Sequence, residues 1–258
     1  MTGALADLAA WTREGLALAF VVFLRVGAVM ALMPGFGQQG VPQRVRLVLA
    51  LAFTAVVFPA VAPTLPADMT GAMPWRFVLT ETVAGLSLGI VMRLIIVALQ
   101  FAGALAAQAT SLAQLFGGAA AEPLPAMGNL MVVSALALAA MQGLHVKIAA
   151  ALILSYDTLP AGQMPLAGGA AEWGIGRIAE ALALGFSLAG PFLIASLIYN
   201  VALGVINRAM PQLMVAFVGA PAITFGGLVL LAVTLPLMLP VWLAWADGLL
   251  ANPFEARP

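Results

Sequence analysis

Two apolar runs, Phe77 to Ala107 and Leu213 to Ala246, constrain this chain more than anything else in it. Coiled as α-helices at 1.5 Å per residue they would be about 45 and 50 Å long, well beyond the roughly 30 Å of hydrocarbon that one bilayer crossing needs. The other apolar segments are Leu16–Leu32, Val45–Val61, Leu130–Leu154 and Ile178–Ile206. Pro59 and Pro63 are expected to stop the second of these, and Pro221, Gly226-Gly227, Pro236 and Pro240 to bend the last run or fold it into a hairpin. The pattern predicts an all-α chain whose six segments are not six simple spans.

Composition makes it an integral membrane protein. Of 258 residues 64% are hydrophobic and only 8% charged, against roughly a quarter charged in a soluble domain. Ten Lys and Arg balance ten Asp and Glu, so net charge recruits neither nucleic acid nor anionic lipid. The absence of cysteine excludes disulfides and thiolate chemistry. Asp7, Arg13 and Glu14 replace the basic start of a signal peptide, so the N-terminus is expected to be retained. Arg44, Arg46, Arg76, Arg177 and Arg208 are too evenly spread to set an orientation.

The stretch Gln108–Gly128 belongs to neither neighbouring apolar segment. Gly117-Gly118 and the Pro123/Pro125 pair end helices, yet the loop between them carries Leu112, Leu115, Phe116, Leu124 and Met127 with Glu122 as its only charge. Two readings are open: a loop lying among lipid headgroups, or a flexible apolar constriction in a pore shared with other chains.

Charge inside apolar segments is the second anomaly. A lone Arg or Glu at the bilayer centre costs about 2.5–3.5 kcal/mol, so Arg25, Glu81, Arg93, Glu180 and Lys147 call for partners. Ion pairs locking helices together, a proton or ion relay, and packing against other protein chains would each account for them. Gly85 and Gly89 form a Gly-x-x-x-Gly pair, and Gly103 with Ala107 a weaker one, which lets helix backbones approach closely. The single histidine, His145, reads as a hydrogen-bonded structural residue. No nucleophilic triad, phosphate-binding glycine loop or zinc-helix spacing is present, and enzymatic function is not expected. Neither is there a clear internal repeat of the kind that marks many secondary transporters.

Particular runs resemble a known family. Phe23-Leu24-Arg25-Val26-Gly27 through Met33-Pro34-Gly35-Phe36, and Val41-Pro42-Gln43-Arg44-Val45-Arg46, are similar to the opening of the FliR family of flagellar type III export-gate proteins, relatives of the injectisome SctT family. Gly143-Leu144-His145, Ser155-Tyr156 and Leu159-Pro160-Ala161-Gly162 resemble its middle section. Asn200–Leu213, with Arg208-Ala209-Met210-Pro211-Gln212, and Gly219-Ala220-Pro221 resemble its C-terminal signature.

The resemblance implies one export-gate domain over 1–258, built of helical hairpins with broken helices and packed in a hetero-oligomeric assembly. It implies FliP-type and FliQ-type subunits as partners, FlhB-type and FlhA-type proteins beside them, membrane lipid around them and unfolded secreted proteins as substrates, with no cofactor, metal or nucleic acid. The location it implies is the bacterial inner membrane, in the flagellar basal body. It also turns the central loop, about 108–128, into a channel plug. Leu112, Leu115 and Phe116 would exclude water, Gly117 and Gly118 would let the loop be displaced, and Pro123 and Met127 would flank it. Arg25, Glu81, Arg93, Glu180, Arg208, Pro211 and Gln212 would serve assembly or buried-charge pairing. The rival readings are an independent secondary transporter using the buried charges, a purely structural scaffold, and an injectisome homologue.

Overall fold

The computed structural model describes residues 2–33, 42–66, 75–111, 126–164, 167–210 and 215–254. Among these the chain is helical and without strands. The helices are α1 (Thr2–Leu32), α2 (Gln43–Val61), α3 (Trp75–Ser111), α4 (Ala126–Met141), α5 (Leu144–Thr158), α6 (Ala167–Ala209) and α7 (Val215–Ala251), with a short 3-10 turn at Ala62–Thr64 after α2. Among the described residues five helices are long and apolar enough to cross a membrane, or six spans if α4 and α5 count as one broken span. At 43 residues, α6 is about 65 Å long.

Helix α2 ends at Val61, just before Pro63 in the 3-10 turn, as expected of the second apolar segment, although Pro59 itself lies inside it. Other prolines do not stop their helices: Pro191 lies inside α6, and Pro221, Pro236 and Pro240 inside α7. Of the two outcomes expected for the last run, a bend or a hairpin, the hairpin is absent: Val215–Ala251 is a single helix. A proline costs the helix one N–H bond, and in apolar helices packing and local adjustment re-satisfy the freed carbonyl. A break falls instead in an apolar segment without proline. Leu130–Leu154 is interrupted between α4 and α5 at Gly143, whose φ of 75° is the left-handed conformation that glycine adopts without steric cost.

Many lone hydroxyls on these helices satisfy themselves locally. Thr54 donates to the Ala50 carbonyl at 2.7 Å, Ser87 to Val83 at 2.9 Å and Thr234 to Leu230 at 2.8 Å, the back-bonding that spares a polar group from apolar surroundings.

The chain divides into two compact units. One comprises Met1–Leu94, Gly143–Arg177 and Asp247–Pro258; the other comprises Ile95–Gln142 and Ile178–Ala246. In the first, α1 packs on α2 and α2 on α5, around buried Val22, Val26, Val29, Phe77, Leu88 and Leu152. In the second, Leu99, Ala102, Met131, Phe192 and Leu231 are buried around Trp242, whose Nε1 donates to the Ile95 carbonyl at 2.8 Å. Gly103 lies against Gly128 so closely that a Cβ on Gly103 would overlap the Gly128 Cα, and Ser196 donates to the Ala109 carbonyl at 2.7 Å.

Candidate functional site

Arg25 and Glu81 meet. They are 1% and 0% exposed, and Arg25 Nε donates to Glu81 Oε2 at 2.8 Å. The rest of the guanidinium is spent on backbone and a hydroxyl. Nη1 donates to the Ser155 carbonyl and to Ser155 Oγ, each at 3.1 Å, and Nη2 to the Leu159 carbonyl at 2.8 Å. The guanidinium carbon lies 3.7 Å from the centroid of the Tyr156 ring, the geometry of a cation–π contact. The second carboxylate oxygen of Glu81 accepts the Gly162 N–H at 3.1 Å. One neutral centre thus joins α1, α3, the end of α5 and the turn after it.

Local structure explains why the two charges can reach each other. On α3, Glu81, Gly85 and Gly89 recur every four residues, so they share one face. A Cβ on Gly85 would strike the Arg25 carbonyl oxygen and come within 2.8 Å of the Ala28 Cβ; one on Gly89 would meet Leu32 at 3.1 Å. The two glycines are thus the surface on which α1 lies, and the close approach they permit brings Arg25 to Glu81. On the far side, Gly162 adopts φ 79° and leaves no room for a Cβ beside the Phe77 ring, which lets its amide reach the carboxylate. Burying two charges is costly unless each remaining lone pair and proton is satisfied, and here Arg25 has four hydrogen bonds and Glu81 two.

A second pair lies in the same unit. Lys147 Nζ contacts both carboxylate oxygens of Asp247 at 2.7 and 2.8 Å, with the side chains 31% and 39% exposed. Asp247 was not singled out by the sequence; it sits at the polar end of α7, where nothing marked it as the partner of a residue 100 positions away. Ser155, Tyr156 and Gly162 were legible as parts of a turn closing the fourth apolar segment and of the family resemblance, not as partners of Arg25 and Glu81; α5 in fact runs on to Thr158 before the turn.

The other anticipated residues fall elsewhere. Arg93 is exposed on α3 and has no ion-pair partner among the described residues of this chain. Glu180 is half-buried, Arg208 is exposed, and Met127 is buried at the start of α4. His145 is exposed in the first turn of α5 rather than held in a core. Helix α3 runs to Ser111 and α4 begins at Ala126, so both ends of the stretch 108–128 are helical. Leu112, Leu115, Phe116, Gly117, Gly118 and Pro123 lie outside the described residues, as do Pro211 and Gln212. No group of three or more metal-ligating side chains occurs among the described residues.

The arrangement is a lock between helices, with the buried Tyr156 hydroxyl beside it left without a hydrogen-bond partner among the described residues. The chain matches the family of bacterial export proteins, family 1, over residues 16–248. It is 33% identical over 228 residues to the flagellar biosynthetic protein FliR of Caulobacter vibrioides, covering 87% of this chain and 91% of that one. The chain belongs to the FliR family of bacterial export proteins. Other members are similar over comparable lengths: FliR of Escherichia coli is 30% identical, covering 86% of each chain, and FliR of Aquifex aeolicus 28%, covering 88% of each. Nearly all of α1 to α7 therefore falls within the family match, the Arg25 centre included.

Proposed function

We propose that this chain is a component of the flagellar type III protein export gate of the bacterial inner membrane, forming part of the channel for unfolded flagellar substrates. Its match along almost the whole of relatives named as flagellar biosynthetic proteins carries the proposal. Those names favour the flagellar branch over the injectisome one. Helix geometry supports it as well, since α6 at 43 residues and α3 and α7 at 37 each are too long for one bilayer crossing. Their exposed Ile194, Leu197, Ile198, Val233 and Leu237 offer apolar surface to other chains and to lipid.

On this reading residues 1–258 act as one non-enzymatic export-gate domain, joined by FliP-type and FliQ-type subunits and bordered by FlhB-type and FlhA-type proteins. The loop about 108–128 serves as the plug, with Leu112, Leu115 and Phe116 excluding water and Gly117-Gly118 allowing displacement. Arg208, Pro211 and Gln212 serve assembly. The direct Arg25–Glu81 pair, tied by further bonds to backbone groups of other segments, supports a structural use of buried charge over a transporter's relay.

Co-expression with FliP-type and FliQ-type partners, followed by the native mass of the particle retained by a C-terminal tag, tests the assignment. One heteromeric complex holding one copy of this chain is the expected result. Recovery of this chain alone, or only with itself, would overturn it. Within the assembled complex, shortening the 108–128 loop should let small ions leak across the membrane, and unchanged permeability would remove the plug role. Arg208→Ala should lower the yield of complex.

A further inference from the structure

The last turn of α5, the first turns of the membrane-capable helix α6 and the last turn of the membrane-capable helix α7 meet around one cleft, with Ser87 of α3 in its wall. The cleft holds about 730 Å³, within the range of roughly 300–1,000 Å³ typical of small-molecule sites. Its wall is apolar, with Leu154, Ala170 and Ala251 among the lining. Two aromatic residues fix its rim. Trp173 Nε1 donates to the Pro253 carbonyl at 3.0 Å, and its ring stands 5.5 Å from that of Phe254. Amphipathic aromatics at span ends are the belt that sits at headgroup level.

Among the described residues, charge at the cleft has one sign. Asp157 is the only formally charged side chain in the lining, it is exposed at the end of α5, and it has no ion-pair partner among the described residues. A carboxylate with no cation beside it repels anionic headgroups and attracts ammonium. We propose that the cleft is a binding site for a phospholipid with a primary ammonium headgroup, of the phosphatidylethanolamine type. The ammonium pairs with Asp157, and the first methylenes of an acyl chain lie along Leu154, Ala170 and Ala251 beneath Trp173. The location at converging span ends selects lipid over a soluble cation, because the apolar wall and the charge meet where headgroup gives way to acyl chain. The inference rests on the membrane nature of the chain and is independent of the export assignment.

Native mass spectrometry of the full chain, purified in detergent doped with equal phosphatidylethanolamine and phosphatidylglycerol, is the test. The wild type should retain the ethanolamine lipid over the glycerol lipid by about threefold, the scale of a partly exposed ion pair. Asp157→Asn, a change at an exposed position that spares the core, should abolish the preference while leaving total retention nearly intact. Trp173→Leu should lower retention of both lipids. Equal retention by the wild type, or a preference that survives Asp157→Asn, would overturn the proposal. So would a photo-cross-linker at Ala170 that captures a co-expressed protein partner and no lipid, since the cleft would then seat a cationic peptide segment.

Discussion

The two ion pairs of the first unit have nearly the same separation, 2.8 Å for Arg25–Glu81 and 2.7 Å for Lys147–Asp247, and differ in almost everything else. Arg25 and Glu81 are sealed from surroundings and each carries further hydrogen bonds; Lys147 and Asp247 remain about a third exposed and, among the described residues, their side chains pair with each other alone. Distance is thus a poor guide to importance. What separates the pairs is how much desolvation would go uncompensated if one partner were lost. For the buried pair that is nearly all of it, while for the exposed pair nearby water or headgroups can take over.

The largest effect should come from leaving one buried charge alone. Glu81→Gln keeps the size of the side chain but removes the counter-charge of Arg25, a change worth about 3–5 kcal/mol in buried pairs. Thermal unfolding of the purified chain in detergent should show it as a collapse of stability or of folded yield. The double variant Arg25→Met, Glu81→Leu sharpens the comparison, since an apolar replacement of a whole buried pair is often tolerated. It should recover at least half of the loss. A double variant no better than the single would mean that the bonds to Ser155, Leu159 and Gly162 matter more than the charges.

How much of this was legible beforehand follows from how local each signal is. Apolar runs and the need of Arg25 and Glu81 for partners were readable, because the cost of a charge in an apolar segment does not depend on the fold. The glycine spacing at Gly85 and Gly89 was readable as a pattern but not as a surface for α1, since glycine is frequent enough here for such spacings to arise by chance. Pro63 marked the end of α2, whereas Pro236 and Pro240 suggested a possible hairpin that a long apolar helix does not make, because packing and local adjustment re-satisfy the freed carbonyls. The break at Gly143 carried only one glycine as its mark. Asp247 and Ser155 stand 100 and 130 residues from their partners, a pairing set by packing and invisible to any periodicity.

An intermediate effect belongs to the glycine face that makes the buried pair possible. Alanine in a helix interior is normally favoured over glycine by about 0.5–1 kcal/mol. Gly174 meets nothing within 4 Å, so Gly174→Ala should stabilise the isolated chain by that amount. At Gly85 the new Cβ meets the Arg25 backbone, which cannot swing aside as a side chain could. Overpacking of this kind costs about 1–3 kcal/mol, enough to outweigh the gain. Gly85→Ala should therefore destabilise, by less than Glu81→Gln. If both alanine variants stabilised equally, the contact between α1 and α3 would be looser than described, and the isolation of the Arg25 centre would need another cause.

The smallest effect is expected at the exposed pair, and it is the one that can break the comparison outright. Partly exposed pairs contribute about 0.2–1 kcal/mol, because the medium competes for both groups and ordering two long side chains costs entropy. Lys147→Gln should stay within that range in unfolding measured in detergent. Raising salt from about 0.01 M to 1 M shortens the screening length from roughly 30 Å to 3 Å, so the difference between variant and wild type should shrink further. If Lys147→Gln instead cost as much as Glu81→Gln and ignored salt, the pair would be shut away from water by surrounding lipid or detergent. Exposure counted on the bare chain would then overstate the access of water to α5 and α7 at this point, and both pairs would serve as interhelical locks of the same kind.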